Sequence, residues 1–145
     1  MNSNDYDTEL LYVYPMGQVY WDIEEYELED LCRYDVSITN TGIVYYTETG
    51  IDVVNEIGKK GIFVLTSDGR LRVGSRKEIH HSDLTHGLPV RCAGEITFSK
   101  KGKIKSISNK SGHFIPHYSC MEDVLIWIEE FGVDTDSIEI KMFKN

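Results

Sequence analysis

Apolar positions in this chain come in short runs broken by turn-forming residues, a spacing that predicts strands and hairpins more than long helices. Leu10-Leu11-Tyr12-Val13-Tyr14 and Gln18-Val19-Tyr20-Trp21 read as two strands around the turn residues Pro15-Met16-Gly17. Tyr34–Thr39 and Ile43–Thr47 form a second hairpin candidate across Asn40-Thr41-Gly42. Gly61-Ile62-Phe63-Val64-Leu65 is apolar enough for a buried strand, and Asp68-Gly69 then turns the chain into the alternating Arg70-Leu71-Arg72-Val73. Val90–Phe98 is a longer strand whose Gly94 marks a bulge or a close backbone approach. Lys100–Lys103 is a turn, Ile104–Ser108 alternates again, and Ile138, Ile140 and Met142 alternate in a last strand.

Two stretches carry helical signals. Asp22 and Glu25 have capping-box spacing ahead of an acidic helix over Ile23–Arg33. Ser119 and Glu122 repeat that spacing before Val124, Leu125, Ile128 and Phe131, which share one helical face, and Gly132 fits the stop. The expected fold is α+β: residues 1–9 disordered, then a single domain over 10–145, with a mostly antiparallel, curved sheet built of hairpins and two helices.

The chain has 145 residues, 41% hydrophobic and 27% charged, which is one domain with enough apolar mass for a core. No apolar run approaches the ~18 residues of a membrane helix, and no secretory signal is visible before Glu9. The net charge of −9 argues against nucleic-acid and anionic-membrane partners. That average conceals a pattern. Residues 1–56 carry 13 acids and one base, residues 57–118 carry 12 bases and four acids, and residues 119–145 carry seven acids and two bases. All five His lie in the basic middle. Either the segments pair within one domain, or the basic, His-rich middle lines an anion-binding pocket. Cys32, Cys92 and Cys120 are odd in number and widely spaced, matching neither a disulfide framework nor a zinc site, so a reducing, cytoplasmic compartment is the expectation.

Three stretches are candidates for chemistry. His80-His81-Ser82 sets an imidazole beside a hydroxyl, although adjacent His on a strand face opposite ways. Metal binding would need His81, His113 and Glu95 to converge. Glu95, in Ala93-Gly94-Glu95, shares strand parity with Arg91, Ala93 and Thr97; it either faces water or serves a pocket as a base or as the group that orients His81. In Ser111-Gly112-His113-Phe114-Ile115-Pro116-His117, hydroxyl, amide and imidazole donors can meet one anion, or the loop simply locks a helix to the sheet. Phosphate-binding Gly loops, dinucleotide patterns and nucleophile elbows are absent, so no cofactor is implied.

Read in order, Ile62-Phe63-Val64-Leu65, Leu71-Arg72-Val73-Gly74, His81-Ser82, Ala93-Gly94-Glu95, Ser111-Gly112-His113-Phe114-x-Pro116 and Gly132-Val133-Asp134 form a recognisable set. The set resembles the shared domain of the plant IQ-motif-containing (IQM) proteins and their fungal and bacterial relatives, some of them parts of toxins or effectors. The resemblance runs over about residues 59–135 and continues weakly upstream at Tyr20-Trp21-Asp22-Ile23 and Gly42-Ile43-Val44-Tyr45-Tyr46. Nothing here resembles the calmodulin-binding IQ motif of the plant members, so calmodulin is not an expected partner. Gly61 stands where the family often has Trp, Asp83 at the second Ser of an H-S-S loop, and Phe114 in place of a Tyr. Glu95 matches the bacterial-type acid where plant members carry Arg, and His80 aligns with a Gln, which favours His81 as the working imidazole.

These readings combine into one expectation. A pocket lined by His81, Ser82, Glu95, Ser111, Gly112 and His113, surrounded by Arg72 and Arg91, binds a small anionic, nucleotide-like ligand and, in the enzymatic version of this reading, processes it. His81, Glu95 and His113 are its candidate catalytic groups. The rival expectation is an acidic protein of inhibitor or immunity type, whose N-terminal third masks a basic site on a partner protein.

Overall fold

The structure, a computed structural model, describes residues 31–85, 90–111 and 119–143, without the Ser82 side chain. The expected disordered terminus, the first hairpin, and all but the end of the acidic helix lie outside the described residues. That end, Leu31–Tyr34, is a 3-10 turn.

Strands β1 (Val36–Ile38) and β2 (Val44–Tyr46) pair antiparallel across the Asn40-Thr41-Gly42 turn. A five-residue helix, α1 (Val53–Ile57), follows. Its β-branched Val53-Val54 and its shortness left no helical period to detect. Strands β3 (Lys60–Thr66), β4 (Leu71–Gly74), β5 (Val90–Phe98), β6 (Ile104–Ser108) and β7 (Glu139–Lys141) form one sheet in the order β4-β3-β5-β6-β7. Its pairs are antiparallel except β6 with β7, which run parallel because the chain crosses over through helix α2 (Cys120–Glu129). The protein is therefore α+β, with a mixed, mostly antiparallel sheet, a separate hairpin and two helices.

The sheet is covered unequally on its two faces. Phe63, Leu65, Leu71, Val73, Cys92, Ile96 and Phe98 point to the main core, where they pack with Met121, Val124 and Ile128 of α2 and with the hairpin residues Val36, Ile38 and Val44. Ile62, Val64 and Ala93 point the other way, into a small cluster with Leu84 and Val90. Helix α2 does not form the expected capping box: Ser119 has helical dihedrals and its side chain does not cap the helix. At the other end Gly132, at φ +79°, donates its N–H to Glu129 O and stops the helix.

The cysteine expectation is corrected. Cys92 and Cys120 are joined by a disulfide, their Cα atoms 5.4 Å apart, and Cys32 alone is free. The two lie 28 residues apart, and only the packing of the first residue of α2 on β5 brings them together. The cross-link removes the ground on which a reducing compartment was expected.

Candidate functional site

Of the candidate residues, His81, Glu95 and Arg72 lie on the second face of the sheet. Val64 lies between Arg72 and Ala93 in register, and Ile62 between Gly74 and Glu95. Alternation along the strands then puts Arg72 and Glu95 on the face of the small cluster. A 3-10 turn, His81–Leu84, sits over that face. Leu84 anchors it in the small cluster, and its carbonyl accepts a bond from the Arg72 guanidinium at 2.8 Å. Asp83 closes the turn by accepting the His80 N–H at 2.9 Å. So held, His81 sets Nε2 2.8 Å from Gly94 O.

A carbonyl only accepts, so His81 Nε2 carries the hydrogen and Nδ1 holds the free lone pair. Burial pushes the His81 pKa below its ordinary value, partly offset by the Gly94 carbonyl and the Glu95 carboxylate. At neutral pH His81 is therefore a neutral imidazole with one acceptor nitrogen.

Glu95 does not face open water. Its side chain is 14% exposed and sits between two cations, Arg76, which is in direct contact, and Lys60 at 3.6 Å. Those cationic side chains are 56% and 61% exposed. Neither is among the site residues expected from the sequence. Lys60 pairs with Thr97, two positions along β5 from Glu95, so strand register was the signal for it; Arg76 comes from the loop after β4 and left none. The Glu95 N–H points at Ser108 Oγ, 3.4 Å away.

Gly94 explains how β6 comes this close. A Cβ there would run into the Ser108 carbonyl and lie 3.0 Å from the Phe63 ring. The sequence signal of a glycine inside a strand therefore marks a close backbone approach.

Among the described residues, Arg72 and Arg91 each have partners of their own. Arg72 is buried, with Nε on Asp35 Oδ1 at 2.9 Å, and Asp35 also takes Arg70 at 2.9 Å. An acid of the acidic segment thus neutralises two bases of the basic one. Arg91 sits where the ladder between β3 and β5 slips one residue, and it bonds Ser67 O at 3.3 Å. Its charge acts on Asp123 of α2, whose pKa is nonetheless raised by burial.

Ser111 is buried beyond the end of β6. Gly112 and His113, with His86, Phe114 and His117, lie outside the described residues, as does the Ser82 side chain. The Thr85 hydroxyl, next to Leu84, is buried with no hydrogen-bond partner among the described residues. No group of three or more His, Cys, Asp or Glu among them is placed to hold a metal ion, and no described helix is long and apolar enough to cross a membrane.

Comparison with known proteins bears out the family resemblance. The family model of the IQ motif-containing protein middle domain matches residues 31–121. The IQ domain-containing protein IQM3 of Arabidopsis thaliana is 32% identical over 85 residues, 57% of this chain and 18% of the relative. IQM1 of the same plant is 27% identical over 109 residues, 73% of this chain and 22% of the relative. The chain thus spans about a fifth of the length of these curated relatives. No solved structure matches.

Proposed function

The chain belongs to the IQ motif-containing protein middle-domain family, and on that premise we propose that it binds a small anionic, nucleotide-like ligand on the sheet face that carries His81 and Glu95. The observation that supports this is the charge around Glu95, where one largely buried carboxylate is shared by two largely exposed cations. An incoming phosphate competes with Glu95 for them. Arg76 offers a planar fork of donors and Lys60 a mobile point charge. His81, neutral and fixed by Gly94, accepts a hydrogen bond from the ligand through Nδ1. In turnover the same atom is the base, with the Gly94 carbonyl holding the ring through Nε2.

Isothermal titration with AMP, ADP and inorganic phosphate tests this reading. The native chain is expected to bind at least one nucleotide more tightly than phosphate. A double variant, Lys60→Ala with Arg76→Ala, should bind it about tenfold or more weakly. Absence of heat with every nucleotide, with no change in Tm, would exclude the reading.

A second reading rests on a different observation: residues 1–30 carry nine acids and no base. This supports an inhibitor- or immunity-type protein that masks a basic site on a partner. Its complex should weaken steeply with salt and with charge reversal at Glu24, Glu25, Glu27 and Glu29. Unchanged affinity in that variant would rule it out.

A further inference from the structure

On the main-core side, the turn between β1 and β2 and the segment after α2 enclose a cavity of about 370 Å³. That volume is within the range of small-molecule sites. The two walls include Gly42 and Gly132-Val133-Asp134, stretches that carry the family resemblance but have no part in the His81 face. Ile38, Ile104, Ile128 and Ile138 line it and are buried or half-buried, which makes its floor apolar. Thr41, Ser137, Lys103 and Asp134 also line it and are exposed, which makes its rim polar.

The rim holds one charge of each sign, and the two are not paired. No ion pair among the described residues involves Lys103 or Asp134. The Lys103 stem packs near Gly42, where an added Cβ would meet Cγ and Cδ at 3.7 Å. Asp134 spends Oδ1 on the Asp136 N–H at 2.8 Å and keeps Oδ2 for another donor. Its side of the cavity adjoins the C-terminal end of α2, the negative end of the helix dipole, which also favours a cation.

From this geometry we propose that the cavity is a second binding site, for a small zwitterion with an apolar body: a free apolar amino acid or a short apolar peptide. The ligand's carboxylate meets Lys103, its ammonium meets Asp134, and its side chain covers the isoleucine floor. This inference goes beyond the anion site and does not depend on it, because the two sites share no residue.

Saturation-transfer NMR with leucine and leucyl-leucine at millimolar concentration is the test. Transfer from the protein to the methyl groups of at least one is expected. N-acetyl-leucyl-leucine, lacking the ammonium, and leucyl-leucinamide, lacking the carboxylate, should each bind about fivefold more weakly, as expected for one exposed ion pair. Lys103→Met should bind leucyl-leucine and leucyl-leucinamide alike, and Asp134→Asn should cease to favour the free ammonium. Both positions are exposed, so thermal unfolding should confirm intact variants. No transfer to either zwitterion, or variants that keep both preferences, overturns the proposal.

Discussion

His81 Nε2 and Gly94 O are 2.8 Å apart, and that bond fixes both the tautomer and the aim of the imidazole. The ring should be found as the Nε2–H tautomer in a long-range ¹H–¹⁵N correlation spectrum at neutral pH. His81→Gln can place an amide donor where Nε2 was and should keep most of the stability. His81→Ala leaves the Gly94 carbonyl one bond short and should cost about 1 kcal/mol. Equal loss in both variants would mean that the bond contributes nothing.

The sign of the pH dependence follows from the lowered His81 pKa. Its folded value lies below the unfolded value near 6.5, so between the two the unfolded chain binds more protons. The contribution is fully present above pH 6.5 and is lost as pH falls toward the folded pKa. Tm should fall on acidification below pH 6.5. The slope in that window should be shallower in His81→Gln, which has no imidazole to protonate.

Gly94→Ala tests the close approach of β6. The added methyl meets the Ser108 backbone, which cannot swing aside as a side chain can. A loss of about 3 kcal/mol or more is expected, at the upper end of what overpacking costs. Chemical denaturation would measure it, and a loss under about 1 kcal/mol would contradict the geometry.

The hairpins were legible in the sequence because each carried a local signal. Asp68-Gly69 and Asn40-Thr41-Gly42 sit at the turns, and Val90–Phe98 and Ile104–Ser108 are strands over those residues. What stayed illegible depends on contacts distant in sequence. Arg72 reads as a polar residue of a half-wet strand, yet it is buried because Asp35, 37 residues earlier, meets its guanidinium. The parity of Glu95 was readable, but its half-buried state depends on Arg76 and on the turn that carries His81. Lys60 could have been found from register, since β3 and β5 pair antiparallel; Arg76 could not. The Cys92–Cys120 bond was hidden for the same reason, because no spacing rule shows that the start of α2 lies on β5.

That disulfide closes a 28-residue separation. Loss of the cross-link should cost about 3.6 kcal/mol on the chain-entropy account. The double variant Cys92→Ala, Cys120→Ala should melt lower than the oxidised native chain, and a strong reductant should lower the native Tm without affecting the variant. An unchanged Tm of the native chain on full reduction would count against a stabilising cross-link.

The most direct measurement for the proposed function is a backbone amide titration by NMR with the tightest-binding nucleotide. The account predicts that the amides of His81, Gly94, Glu95 and Arg76 move together with one dissociation constant, while those of Asp123 and Ile126 on α2 stay still. Saturable binding that leaves the His81–Glu95 face unmoved would contradict it.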